Sequence, residues 1–128
     1  MHQTAEQQIA QLNDLYARFN ARDIDGVLAA LADDVAWANG MEGGHVHGGA
    51  AVRDYWTRQW ALVSPQVTPL AFEALDDGAL RVQVRQVVRD LDGQPLHGQA
   101  HGLHDKLVGH VFRFNAGKVI RFDIEEIG

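Results

Sequence analysis

The sequence predicts an α+β domain in which three N-terminal helices pack on the concave face of a strongly curved antiparallel sheet. Three observations predict it. Apolar residues recur at helical spacing as far as about Val63, they alternate with period two after Pro65, and short turn sequences join the alternating runs.

Thr4 followed by Gln7 forms a capping-box pattern, and Ile9, Leu12, Leu15, Tyr16 and Phe19 then repeat at helical spacing up to about Ala21. Asp23 is placed to cap a second, shorter helix carrying Ile24, Val27, Leu28 and Leu31, which Asp33-Asp34 ends. Val35-Ala36-Trp37-Ala38-Asn39 reads as a strand, and Gly40, Gly43, Gly44, Gly48 and Gly49 then make a flexible stretch holding His45 and His47. A third helix runs from Ala50 to about Val63, with Val52, Trp56, Trp60 and Val63 on one stripe and Tyr55 beside it.

Beyond Pro65 the alternating runs are Val67 to Leu75, Leu80 to Leu91, about Leu96 to Phe114, and Lys118 to Glu126. Asp76-Asp77-Gly78, Asp92-Gly93-Gln94-Pro95 and Asn115-Ala116-Gly117-Lys118 turn the chain between them, which makes an antiparallel meander. In Leu80 to Leu91, Val82, Val84, Gln86 and Val88 share the buried face. Gln86 places an amide there, so either a polar group enters a cavity or a β-bulge shifts the phase.

At 128 residues the chain is read as one domain, residues 1–128. Seventeen acidic against 11 basic residues leave a charge of −6, which opposes phosphate backbones and anionic bilayers and argues against nucleic-acid or membrane partners. The sequence has no cysteine, hence no disulfide, thiolate nucleophile or thiolate metal site, and a polar start; both suit a soluble, cytoplasmic protein.

His110 carries the most chemical promise. It opens His110-Val111-Phe112-Arg113-Phe114, where alternation sets it on one face with Phe112 and Phe114, an ionisable ring on an aromatic wall. Either it is a donor or acid/base group in a pocket, making ligand affinity titrate near neutrality, or it is a core histidine bonded to Gln86 or a backbone carbonyl. Asn39 either orients a carbonyl or water or starts the turn at Asn39-Gly40. Tyr16 either aims its hydroxyl into a cavity or packs the core. Phe19, Trp37, Trp56, Trp60, Phe112 and Phe122 together suit a flat, apolar or aromatic ligand.

Two histidine clusters, His45-x-His47 and His97-x3-His101-x2-His104, raise a metal reading. Both lie in glycine-rich segments with nothing to fix three or four ligands, so no metal is assigned. Asp105 and Lys106 read as a solvated pair. Asp123 is the late carboxylate nearest His110 across the hairpin, but alternation with Phe122 and Ile124 points it to the other face.

The helix, the Asp-capped helix, Ala32-Asp33-Asp34-Val35, the Gly-rich loop, the helix start from Gly49 to Trp56 and the closing Phe-Arg-Phe-Asn-Ala-Gly-Lys-Val-Ile hairpin stand in one order. In this the chain resembles the nuclear transport factor two-like superfamily, specifically its SnoaL-like and ketosteroid-isomerase-like branch, from about Ala5 to Ile127. The resemblance implies a cone-shaped fold that hosts isomerases, cyclases, dehydratases, hydroxylases and non-catalytic binders. It also implies a homodimer packed through the outer sheet face bearing Arg81, Gln83, Arg85 and Arg89.

The base aspartate of the ketosteroid isomerases corresponds to Asn39, their oxyanion-hole aspartic acid to His110, and their oxyanion tyrosine to Leu15 or the adjacent Tyr16. An amide takes no proton, so steroid isomerisation of that kind is not implied. What is implied is a small-molecule enzyme of the isomerase or lyase kind, needing no cofactor, in which His110 acts as acid/base or oxyanion donor and Tyr16, Asn39 and Gln86 orient the ligand. The alternative is a ligand-binding or interaction domain of the same fold that lacks the catalytic base.

Overall fold

The computed structural model describes residues 4–39, 43–94 and 106–126. Helix α1 spans Ala5–Asn20, α2 Ile24–Leu28 and α3 Gly49–Leu62; the strands are β1 Leu31–Ala38, β2 His45–His47, β3 Ser64–Ala74, β4 Leu80–Arg89, β5 Lys106–Asn115 and β6 Lys118–Glu126. The capping box forms as the sequence suggests: Thr4 Oγ1 accepts from the Gln7 N–H at 3.1 Å, and Gln7 Oε1 accepts from the Thr4 N–H at 2.9 Å. Asp23 caps α2 by accepting from the Gly26 N–H at 3.0 Å.

One six-stranded sheet runs in the order β2-β1-β6-β5-β4-β3. Its pairs are antiparallel except β1 with β6, which are parallel, so the sheet is mixed rather than wholly antiparallel. A parallel pair needs a long crossover. Here the whole chain between residues 38 and 118 supplies it.

The second helix is shorter and the first strand longer than sequence spacing predicts. Leu31 belongs to β1, not α2, and Asp33-Asp34 lie within that strand. The cause is tertiary: the Val119 N–H donates to the Ala30 carbonyl at 2.9 Å, and Leu31 pairs with Val119. Propensity for one more helical turn yields to that ladder.

The glycine-rich stretch also holds a strand. His45-Val46-His47 pairs antiparallel with Ala36-Trp37-Ala38, so residues read as flexible form the sheet's β2 edge. Gly48 then turns at φ 86° into α3, its N–H bonded to the Val35 carbonyl at 2.8 Å. The β5–β6 turn has both central residues left-handed, Ala116 at φ 52° and Gly117 at φ 80°, as a two-residue hairpin of the primed kind requires.

Leu12, Val27, Val35, Val52, Trp56, Val82, Val84, Phe112 and Val119 are essentially inaccessible and fill the space between helices and sheet. The Asn20 side chain ties α1 to β3 at two points: its Nδ2 donates to the Val67 carbonyl at 2.8 Å, and its Oδ1 accepts from the Val67 N–H at 2.9 Å. Among the described residues no helix is long and apolar enough to cross a membrane.

Candidate functional site

Helices and sheet leave a cavity of about 420 Å³ between them. Tyr16 and Phe19 reach it from α1, Trp37 from β1, Tyr55, Trp56 and Gln59 from α3, Gln86 from β4, His110 and Phe112 from β5, and Phe122 from β6. β4 keeps its alternation through Gln86, and its register with β5 is unbroken from Leu80 to Gln86. The amide therefore marks the cavity and not a bulge.

The wall is an aromatic lattice. Trp37 stacks on Phe122 with ring centres 4.1 Å apart and meets Trp56 edge-on at 5.2 Å; Phe122 in turn presents its ring to His110 at 4.7 Å. Within it, Tyr16 Oη lies 2.8 Å from His110 Nδ1. Both side chains are buried, Tyr16 at 3% and His110 at 6% exposure.

Desolvation governs both groups. Burial lowers the His110 imidazole to about 3 and raises the Tyr16 phenol well above its ordinary value of 10. The pair is neutral at physiological pH and holds two mobile protons, one on oxygen and one on a ring nitrogen. One is used in the mutual hydrogen bond. The other is left to donate from one end, as His110 Nε2–H or Tyr16 O–H, while the opposite end accepts. His110 thus stays uncharged near neutrality, contrary to the expectation that it would titrate there.

Tyr16, not Leu15, supplies the hydroxyl, although Leu15 also lines the wall. Asn39 borders the cavity and also heads the turn into β2: its N–H donates to the Gly44 carbonyl and its carbonyl accepts from the Gly43 N–H, both at 2.9 Å. Phe19, Trp37, Trp56, Gln86, Phe112 and Phe122 line the space. Trp60 does not. It packs behind the wall, stacked on Trp56 at 5.8 Å and edge-on to Phe19 at 5.2 Å, with the Arg22 guanidinium 5.0 Å above it.

A buried pair on α3 escaped the sequence reading: Gln59 Nε2 donates to Tyr55 Oη at 3.0 Å. The signal was present, because Gln59 stands seven residues after Val52 on the same apolar stripe. Asp123 bonds to His45, Nε2 to Oδ1 at 2.8 Å, and to Arg121, so its histidine partner is not His110. Among the described residues no three acidic or histidine side chains converge as a metal site. His97, His101, His104 and Asp105 lie outside the described residues.

A curved mixed sheet wrapped on three helices, with a cavity between them lined by aromatic and a few polar side chains, has the architecture of the nuclear transport factor two-like fold. The profile of the SnoaL-like domain matches residues 12–122, and the chain belongs to that family. Among solved structures, a Burkholderia pseudomallei protein of this fold and of unknown function superposes with a TM-score of 0.75 at 24% identity, over 94% of this chain and 91% of the other. TerC, crystallised with polyporic acid, gives 0.73 at 22% identity over 92% and 89%. A Mycobacterium tuberculosis protein in complex with estradiol-17beta-hemisuccinate gives 0.73 at 17% identity over 94% of each chain. No curated protein matches the sequence.

Proposed function

We propose that this chain binds a flat, apolar or aromatic small molecule in its cavity and catalyses proton transfer on it, an isomerase-, cyclase- or dehydratase-type reaction that draws on no cofactor. The observation that carries the reading is the 2.8 Å Tyr16–His110 bond set into a buried aromatic wall. A neutral pair with one donor to spare suits an oxygen on which negative charge develops, because the donor is already aimed and little water competes. With the imidazole at about 3, His110 serves as a donor to that oxygen and not as a resting-state acid. Gln86, Gln59 and Asn39 would orient the remaining polar atoms of the ligand.

Polyporic acid and estradiol-17beta-hemisuccinate, carried by structures of the same fold, are suitable first probes. Titration should quench the fluorescence of Trp37 and Trp56, which line the wall. Tyr16→Phe should weaken binding of the probe whose oxygen meets the pair by about fivefold to tenfold, the worth of one hydrogen bond. Absence of quenching by either probe, together with an unchanged response in Tyr16→Phe, would count against the reading.

A second reading, a non-catalytic binder, is favoured by one fact: the pocket histidine, held neutral at about 3, is a weak base. Turnover of any bound probe separates the two.

The convex face, where Arg85 stands opposite exposed Leu107, supports a homodimer packed through the sheets. Sedimentation at micromolar concentration should then give twice the chain mass, and a monomer would refute the arrangement. The cysteine-free composition supports a cytoplasmic setting.

A further inference from the structure

One end of the cavity carries a charge that the Tyr16–His110 pair does not use. β5 pairs with β4 in unbroken register from Phe112 opposite Leu80 to Lys106 opposite Gln86, so Lys106, Val108, His110 and Phe112 stand on one face of the strand. That face meets the helices: Val108 and Phe112 are sealed in the core, whereas Leu107 on the other face is exposed. Lys106 and His110 both line the cavity, and Gln86 sets an amide beside Lys106 across the pairing.

Lys106 is the only lysine or arginine among the described residues that line the space. Its ammonium makes no ion pair and no hydrogen bond among the described residues. The chain's other lysine, Lys118, is engaged at the β5–β6 turn, where it donates to the Ala29 carbonyl. Asp123, the carboxylate at the rim, alternates to the opposite face of the sheet and is held there by His45 and Arg121. An ammonium that fronts an aromatic cavity with no carboxylate of its own is suited to one that a ligand brings.

His110 fixes the other end of that ligand. Tyr16 takes Nδ1, and Nε2 is neither bonded nor sealed, since the only buried side-chain nitrogen or oxygen without a partner among the described residues is Trp60 Nε1. Nε2 therefore opens on the cavity and donates or accepts according to the tautomer. Four residues of strand separate His110 from Lys106, about 13 Å at roughly 3.3 Å per residue. One hydrogen bond of about 3 Å at each end leaves about 7 Å between two ligand oxygens, close to the span of two fused rings substituted at opposite ends.

We propose that the ligand is a planar aromatic acid whose rings lie against Trp37 and Phe122, with its carboxylate on Lys106 and a hydroxyl or carbonyl oxygen on His110 Nε2. The proposal rests on the reading that the cavity binds a flat aromatic molecule, and it adds that molecule's charge and length. The formal charge of −6 opposes an anion, but exposed charges more than about 8–10 Å away are largely screened at physiological ionic strength, so the contact at Lys106 decides.

The probes are 6-hydroxy-2-naphthoic acid and its neutral twin 6-hydroxy-2-naphthamide, titrated by calorimetry near neutrality. Wild type should hold the acid about fivefold to tenfold more tightly than the amide at low ionic strength, and the margin should shrink in high salt. Lys106→Met keeps the apolar stem and should erase the margin by weakening the acid alone, with an unchanged urea midpoint. Lys106→Arg should restore it, and Lys118→Met should match wild type. 2-Naphthoic acid, which lacks the hydroxyl, should bind about fivefold more weakly than the hydroxy acid and still respond to Lys106→Met.

Equal affinity of wild type for acid and amide, or an acid preference that survives Lys106→Met, would overturn the proposal and leave the binding reading standing. Binding of none of the three naphthalenes would overturn it as well, while the tryptophan-quenching titrations decide separately whether the cavity binds at all.

Discussion

Acid should unfold this protein in a way that reports directly on His110. The imidazole has a value of about 3 in the fold against 6.5 when exposed, so the unfolded chain binds its proton far more tightly than the folded one. Stability from this group is fully present above about pH 6.5 and is lost as the pH falls toward 3. At about 1.4 kcal/mol per unit, roughly 2 kcal/mol should be gone at about pH 5 and roughly 3 kcal/mol at about pH 4. Surface carboxylates and the other histidines add their own slopes, so the comparison must cancel them.

The double variant Tyr16→Phe/His110→Phe does so, because it removes both members of the buried pair and leaves no orphan. Each single variant strands one buried polar group and should cost about 1–3 kcal/mol near pH 8, whereas the double should cost less than the sum. Urea unfolding followed by tryptophan fluorescence at about pH 8, 5 and 4 gives the free energies. Wild type should lose about 2 kcal/mol more than the double variant between the first two. Equal losses in both proteins would refute a desolvated His110 and, with it, the claim that the pair is neutral.

Other consequences can be tested on stability alone. Ala116 is left-handed at φ 52° in the β5–β6 turn, so Ala116→Asn should raise stability by about 0.5–1 kcal/mol in urea melts; a loss would mean that the turn is not of the primed kind. Asn20 satisfies both backbone groups of Val67, and Asn20→Ala should cost about 1–3 kcal/mol and weaken protection of the Val67 amide in hydrogen exchange. Asp23→Ala should cost about 0.5–2 kcal/mol through loss of the α2 cap, read as a lower melting temperature.

Local chemistry was legible in the chain and long-range pairing was not. Thr4 with Gln7, and Asn115-Ala116-Gly117-Lys118, announce a helix start and a hairpin because every partner is within a few residues. Gln86 narrowed its strand to a cavity or a bulge, and only the unbroken pairing with β5 decides between them. The start of β1 was hidden, since Leu31 also fits the helical spacing before it and only pairing with Val119 decides the matter. β2 was hidden because three residues between glycines carry no period. The Tyr16–His110 bond joins residues 94 positions apart, so each could be nominated singly but not as a pair. Trp60 shared a stripe with Trp56, and position on a stripe does not say which ring meets the void and which meets its neighbour.

The parallel pairing of β1 with β6 sets an order of events during synthesis. β1 leaves the ribosome some eighty residues before the strand it must lie beside, and until residues 118–126 emerge it has β2 alone as a sheet neighbour. Trp37 waits equally long for Phe122. Such distant closure is slow, because chain entropy must be spent before contacts return it. Nascent chains halted before residue 118 should therefore keep Trp37 accessible to quenchers and to chaperones. A pocket of this design comes into being all at once, late, when its final strand slides between two halves of an unfinished sheet.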